Sequence, residues 1–143
     1  MTWTDLADGI AAELPRLRKA DVLQLRYGAR FVQVAQLDAD VYADSVSNRH
    51  LRDGDRLSRM DERTLAALGW RTPQAPPGYG NWWSTTPWPL RTSDSQHVAQ
   101  LVVTTLRDVH GTPDPSRLAY KAFNAVSGEP VVVPIFFDLQ QIG

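Results

Sequence analysis

The residues of this chain that could bind a metal or move a proton are few and widely spaced. The three histidines are His50, His97 and His110. None stands in a ligand spacing such as His-Glu-x-x-His with a second histidine, so we expect no metal site and no cofactor. His110 follows a predicted helix, where a protonated imidazole would interact favourably with the last carbonyl groups.

Nucleophilic and phosphate chemistry also lack their usual patterns. No Gly-x-Ser-x-Gly motif occurs, no cysteine is present, and the two glycines within 78–80 are accompanied by no lysine. Neither an activated serine nor a phosphate-binding loop is therefore indicated. The acid pairs Asp53 with Asp55 and Asp61 with Glu62 fit turns and helix starts, since carboxylates favour the first turn of a helix. The sequence predicts a protein that is not an enzyme.

A basic segment is the feature that could bind nucleic acid, because basic surfaces near aromatic side chains do so. It contains Arg49, Arg52, Arg56, Arg59, Arg63 and Arg71. The acids that interleave with it are Asp53, Asp55, Asp61 and Glu62. The local excess is small, and the formal net charge of the whole chain is -1. We expect a solvated, ion-paired surface and no nucleic-acid partner.

Tryptophan is the unusual residue type of this chain. Five tryptophans occur in 143 residues, and Trp70, Trp82, Trp83 and Trp88 lie close together. Because side chains alternate along a strand, Trp82 and Trp83 should point to opposite faces of a sheet. One can fill the core while the other meets a loop, a helix or a partner, and tryptophan is enriched among interface hot spots. Two interpretations stay open: the second indole contacts a partner, or both sheet faces are covered within the monomer.

The elements that would position these residues begin with a helix and a meander. Apolar residues at helical spacing predict an amphipathic helix over 3–14, which Pro15 ends. Three short runs rich in β-branched and aromatic residues follow at 22–27, 31–34 and 41–46. Their short connections predict an antiparallel meander.

The middle of the chain contains a second helix and a further strand. Ser58 is the predicted N-cap of this short helix, and Gly69 can close it in the left-handed conformation. The prolines and glycines of 71–80 predict a loop, and residues 81–88 predict a strand.

Two more helices and an apolar tail complete the predicted elements. The third helix would start at Ser93 or Asp94 and stop at Gly111. A fourth helix is predicted over 114–128, with a buried stripe of Leu118, Ala122, Phe123 and Val126. The apolar run 131–137 is strand-like, but its proline restricts it to an edge strand or an extended arm.

Length and composition indicate one domain, because 143 residues with 43% hydrophobic and 22% charged residues are ordinary for a globular chain. The order of elements predicts an α+β fold: a single antiparallel sheet of about four to five strands, with helices packed mainly on one face. We expect one domain over 1–143, with its core at 3–127 and an apolar arm or edge strand at 128–143. The absence of a signal-peptide pattern and of a long apolar stretch predicts a cytoplasmic protein without a membrane span.

Several motifs resemble a known family. They are L-x-x-L-G-W-x-x-P at 65–73, Asn-Trp-Trp at 81–83 before a long helix, and the pattern running from Val-Gln-Val at 32–34 to Leu57. Over roughly residues 3–125 the chain resembles the actinobacterial TY-Chap group, related to type III secretion chaperone-like and YbjN-like domains. The resemblance implies an α+β domain that acts as a chaperone-like or adaptor module, often linked to secretion or bacterial conflict.

The favoured function is a noncatalytic binding module that holds a segment of a partner protein by pairing at a sheet edge and by apolar pockets. The predicted partner-binding residues are Tyr79, Trp82, Trp83, Trp88, Val131, Val133 and Phe136. An alternative is a small-ligand-binding protein or enzyme with a polar pocket near the 49–56 loop, built from Arg49, His50, Asp53 and Trp83. A third interpretation is a homodimer formed through the apolar tail, since an uncovered edge strand invites pairing.

Overall fold

A computed structural model describes residues 1–74 and 80–142 of the chain. Part of the predicted loop at 71–80, including the candidate residue Tyr79, lies outside the described residues. The structure has three α-helices and six strands within these ranges. The α+β fold class predicted from the sequence is confirmed, with a strand count slightly higher than expected.

The three α-helices differ in how their first turns are capped. They are α1 (Trp3–Glu13), α2 (Arg59–Leu68) and α3 (Thr92–Thr104). Thr2 and Ser58 cap α1 and α2, each in a reciprocal pair with an aspartate three residues later. The predicted start of α3 is wrong, because Arg91 occupies the cap position and the Asp94 carboxylate instead accepts a hydrogen bond from the backbone N–H of Arg91 at 3.0 Å.

Six strands form one sheet. They are β1 (Asp21–Tyr27), β2 (Arg30–Leu37), β3 (Asp40–Ser45), β4 (Trp82–Pro87), β5 (Ala119–Asn124) and β6 (Gln140–Gln141). Their order across the sheet is β4-β3-β2-β1-β5-β6. Neighbouring strands are antiparallel except β5 and β6, which are parallel, so the sheet is mixed and not purely antiparallel.

The fourth predicted helix is wrong. Only a short 3-10 turn, Pro115–Arg117, precedes β5, which pairs with β1 so that Ala122 lies opposite Leu23. The spacing of Leu118 and Ala122 misled the sequence interpretation, because residues four apart share a face in a strand as well as in a helix. The next predicted stripe residue, Val126, is 86% exposed in the turn after the strand.

One face of the sheet carries the hydrophobic core. Its strand residues are Leu23, Leu25, Val32, Val34, Val41 and Ala43. The helices α1 and α3 pack against these side chains and against each other, with Ile10 and Val102 among the buried contacts. Helix α2 joins the same cluster through Leu65. The helices are thus on one side, as the sequence predicted.

The carboxyl-terminal segment folds back onto β5. The Val131 N–H donates to the Ala122 carbonyl at 3.1 Å, and the Ile142 N–H donates to the Tyr120 carbonyl at 2.8 Å. Between them a 3-10 segment, Pro134–Asp138, buries Phe136 completely against the Tyr120 ring, with ring centroids 5.2 Å apart. The segment therefore covers the outer side of β5 and fills part of the core.

His110 lies in the core at the end of the π-helical continuation of α3, Thr105–Val109. Burial, and then the nearby positive charge of Arg30, lower the pKa of His110 to about 3. The imidazole is therefore neutral at neutral pH. The expectation of a protonated histidine at this helix end is wrong, because desolvation of the charged form outweighs the attraction of the last carbonyls.

We expect acid to destabilise the protein through His110. The unfolded chain takes up this proton near its ordinary pKa of 6.5, whereas the folded chain takes it up only near 3. Stability is therefore complete above pH 6.5 and falls as the pH drops below it, by up to about 1.4 kcal/mol per pH unit. Urea unfolding at pH 7.5 and pH 5 measures this loss.

The variant His110→Gln should lose much of this pH dependence, whereas His97→Gln, at an exposed histidine of α3, is the matched control and should retain it. An equally steep loss of stability with acid in His110→Gln would contradict the assignment.

Candidate functional site

The second face of the sheet carries side chains that alternate with the core residues. The register places on it Val22, Gln24, Arg26, Phe31, Gln33, Ala35, Tyr42, Asp44, Trp83, Thr85, Lys121 and Phe123. Val22 and Ala35 are buried by their neighbours yet lie outside the main core cluster. The described helices all pack on the opposite side, and we call this second surface the open face.

Cations lie over three of the aromatic rings of the open face. The guanidinium of Arg26 is 5.4 Å from the centroid of Phe31, its cross-strand neighbour. The Lys121 ammonium is 4.9 Å from the Phe123 ring. Arg71, which pairs with the outer edge of β4, places its guanidinium 4.8 Å from Trp83. Charged groups thus cover rings that a helix would cover in a buried sheet.

A row of polar side chains crosses the middle of the open face. Asp44, Gln33, Gln24 and Lys121 are direct cross-strand neighbours on β3, β2, β1 and β5. Gln24 Nε2 donates to Gln33 Oε1 at 3.1 Å, and Gln33 Nε2 donates to Asp44 Oδ1 at 3.5 Å. The row joins a carboxylate at one end to an ammonium at the other, and we call it the polar row.

Asp44 is a buried carboxylate at the end of the polar row. Its side chain accepts a hydrogen bond from Asn81 Nδ2 at 2.9 Å, and the residue is 8% exposed. Burial raises the pKa of Asp44, while the Asn81 hydrogen bond and the charge of His50 partly offset this rise. None of the ion pairs among the described residues includes Asp44. The charge is therefore held at a cost, and no described cation forms an ion pair with it.

Of the predicted partner-binding residues that the structure describes, one lies on the open face. Trp83 is half-buried there, and its Nε1 donates to the Thr72 carbonyl at 3.2 Å. Trp82 points to the opposite side, into the core. This pair shows the alternation that the sequence predicted.

The other predicted contacts are dispersed. Trp88 and Val131 are half-buried against the core, and Val133 and Phe136 are buried within it. The folded chain exposes little of these four side chains at its surface. Their roles in partner binding stay predictions. The most exposed tail side chains are instead Val132 and Phe137, at 64% and 67%.

Neither of the two larger described cavities brings together the four residues of the alternative pocket. A cavity of about 460 Å³ is lined by Tyr27, Gly28, Ala29, Arg30, Gly54, Asp55 and His110. It touches the 49–56 loop but contains neither His50 nor Trp83. A second cavity, of about 350 Å³, lies between α1 and the start of α3. His50 packs near Gly80, and Asp53 lies in an exposed 3-10 turn, Asp53–Asp55.

A serine and a histidine do meet in the core, but they form no accessible nucleophile. Ser45 Oγ and His110 Nε2 are 3.1 Å apart, and Ser45 is 0% exposed. Nδ1 of His110 has no partner among the described residues, so no described carboxylate orients the ring.

Residues 1–74 and 80–142 hold no cluster of three His, Asp or Glu side chains suited to a metal. None of the helices in 1–74 and 80–142 is long and apolar enough to cross a bilayer.

The three helices and the single sheet define a small two-layer α+β domain with one sheet face free of described helices. The profile of the TY-Chap3 family, described as T3SS (YopN, CesT) and YbjN peptide-binding chaperone 3, matches residues 1–124. The chain belongs to this family. Searches of curated proteins and of solved structures find no significant match.

We expect Asp44→Asn to stabilise the protein at neutral pH. The substitution removes a charge whose folded pKa is raised, and reversed amide orientations along Gln33 and Gln24 can keep the hydrogen bonds of the row. The gain should be about 0.5–1 kcal/mol at pH 7. It should shrink as the pH falls toward 3.8, the ordinary pKa, because protonation then neutralises the wild-type carboxyl as well.

Urea unfolding at pH 7 and pH 4 measures the difference. Asp38→Asn is the control, since the Asp38 side chain is 84% exposed and its removal should change stability little. A loss of more than about 1 kcal/mol in Asp44→Asn at pH 7 would show that the charge stabilises the fold.

Proposed function

We propose that the protein is a noncatalytic peptide-binding chaperone or adaptor module of the cytoplasm that holds an extended segment of a partner protein on the open face. The observation that carries the proposal is a sheet face with four half-buried aromatic side chains that no described helix covers. These are Phe31, Tyr42, Trp83 and Phe123. The family description as peptide-binding chaperones supports it.

Aromatic rings beside amide side chains suit an extended peptide. Rings supply contact area at low entropy cost, and Gln24 and Gln33 offer both donors and acceptors to a peptide main chain. Lys121, the exposed cation over Phe123, is weakly held, since cation–π contacts at exposed sites are worth about 0.5–1 kcal/mol. A bound segment can therefore displace it at small cost.

The edges of the sheet are less suited to a partner strand than its face. Arg71 already exchanges two main-chain hydrogen bonds with Trp83 at the outer edge of β4, and Pro87 at the end of that strand has no N–H to donate. The outer side of β5 is covered by the chain's own carboxyl-terminal segment. Strand addition at an edge has few free groups to use, whereas the face is broad.

A second candidate function is the binding of a small ligand in the cavity of about 460 Å³ beside Arg30 and His110. The observation in its favour is that His110 lines this cavity and that its buried Nδ1 has no hydrogen-bond partner among residues 1–74 and 80–142. The Arg30 guanidinium is already occupied, since it donates to the carbonyls of Asp55, Arg56 and Val109. The open face therefore remains the favoured site.

We expect peptide binding to depend on the rings of the open face. The wild-type protein is first screened against an array of unrelated 15-residue peptides, and the best binder is then titrated. Either Trp83→Ala or Phe123→Ala should weaken the affinity for that peptide about tenfold or more. Each substitution removes a half-buried ring without opening the core.

Phe137→Ala is the matched control, because its ring is 67% exposed in the carboxyl-terminal segment, away from the open face. Binding that survives both open-face substitutions but is lost in Phe137→Ala would transfer the site to that segment. Sedimentation of Phe137→Ala beside the wild type also tests the homodimer, which should dissociate if this exposed ring forms its interface.

A further inference from the structure

We propose that the polar row selects its peptide by charge: an arginine or lysine of the bound segment sits against Asp44, and an aspartate or glutamate four residues away sits against Lys121. This inference rests on the proposed function, since it names the class of peptide that the open face takes.

The spacing follows from the geometry of the sheet. Asp44 and Lys121 lie on β3 and β5, which are three strand spacings apart in the order β3-β2-β1-β5. Three spacings of about 4.8 Å make about 14 Å. A peptide lying across the strands advances about 3.4 Å per residue, so four residues span the same distance. Residues two and four apart point to the same side of an extended chain, so both charged side chains and the one between them can face the row.

The Asp44 end is prepared for a cation. Its carboxylate is buried and makes no ion pair within the described residues, although it accepts hydrogen bonds from Asn81 and Gln33. Trp83 lies directly opposite Asp44 on β4 and offers apolar surface to the stem of a long basic side chain. The charged group beside this carboxylate in the chain itself is His50, whose influence only partly offsets the effect of burial.

The Lys121 end is prepared for an acid. Lys121 is exposed, and Arg26 is its diagonal neighbour on β1. Neither forms an ion pair with any described carboxylate, and Arg26 Nε is a buried donor without a described partner. A cation without a described ion pair, Lys121, therefore stands at one end of the row, and a carboxylate without one, Asp44, stands at the other. A peptide with the opposite polarity complements both ends at once.

The experiment uses four blocked nine-residue peptides on a neutral Ser/Thr/Val background that differ in two positions. One has arginine and glutamate four residues apart, one has the same pair three apart, one has two arginines four apart, and one has two glutamines four apart. The wild-type protein should bind the first about tenfold more tightly than each of the others at low salt, and the preference should shrink at high salt.

Two substitutions locate the contacts. Lys121→Glu should reverse the preference, so that the peptide with two arginines binds more tightly than the arginine–glutamate peptide. Asp44→Asn should weaken the arginine peptides and leave the glutamine peptide unchanged. Lys19→Glu is the matched control at the chain's other lysine, which pairs with Asp38 away from the open face, and it should change none of these affinities.

The outcomes separate this inference from the proposed function. Equal binding of all four peptides, still weakened by Trp83→Ala, would refute charge selection and leave peptide binding on the open face intact. Failure of every peptide to bind, with no effect of Trp83→Ala on the array, would refute both. A preference for the three-residue spacing would also refute the inference, because those two side chains point to opposite sides of an extended segment.

Discussion

The structure depends on the two-residue period of its central strands. Leu23 and Leu25 enter the core, while Gln24 and Arg26, which alternate with them, point the other way. Strands β2, β3 and β5 repeat this division. A two-layer domain can bury only one face of its sheet. Once α1 and α3 cover the apolar face, the other face must meet water or a partner. The core and the candidate site are thus two results of one alternation.

The open face remains compatible with water because its rings are shielded by charge and its centre is polar. Arg26, Arg71 and Lys121 each cover a ring, and the polar row interrupts the apolar surface. These contacts are weak individually, since exposed cation–π pairs contribute little and surface amides exchange readily with water. The same weakness lets a bound segment replace them. Contacts of this kind would suit a sheet face that stays in contact with water until a peptide binds to it.

The sequence predicted the local features and missed the nonlocal ones. Capping at Ser58 and the first three strands could be read from neighbouring residues, and so could the opposite directions of Trp82 and Trp83. Strand β5 could not, because its apolar spacing also fits a helix and only pairing with β1 decides between them. Pairing between distant segments is set by tertiary packing, which overrides local preference.

The polar row was missed for the same reason. Its members come from four strands, and Gln24 and Lys121 become neighbours only through the register between β1 and β5. The signal within the sequence was a polar residue between two apolar ones in several strands, such as Gln24 between Leu23 and Leu25, which also fits a plain solvated face. Register, and not residue type, turned those separate polar positions into a line of hydrogen-bonded groups.

Asp44 and His110 show how burial acts differently in the core and at a surface. Burial favours the neutral form of both groups, raising the pKa of the carboxyl and lowering that of the imidazole. The His110 imidazole stays neutral inside the core, where its Nε2 shares a hydrogen bond with Ser45 Oγ. The strand register places Asp44 on the open face, where Gln33 and Asn81 donate hydrogen bonds to its carboxylate. In the proposed complex, a cation of the bound peptide would offset the cost that burial imposes on this charge.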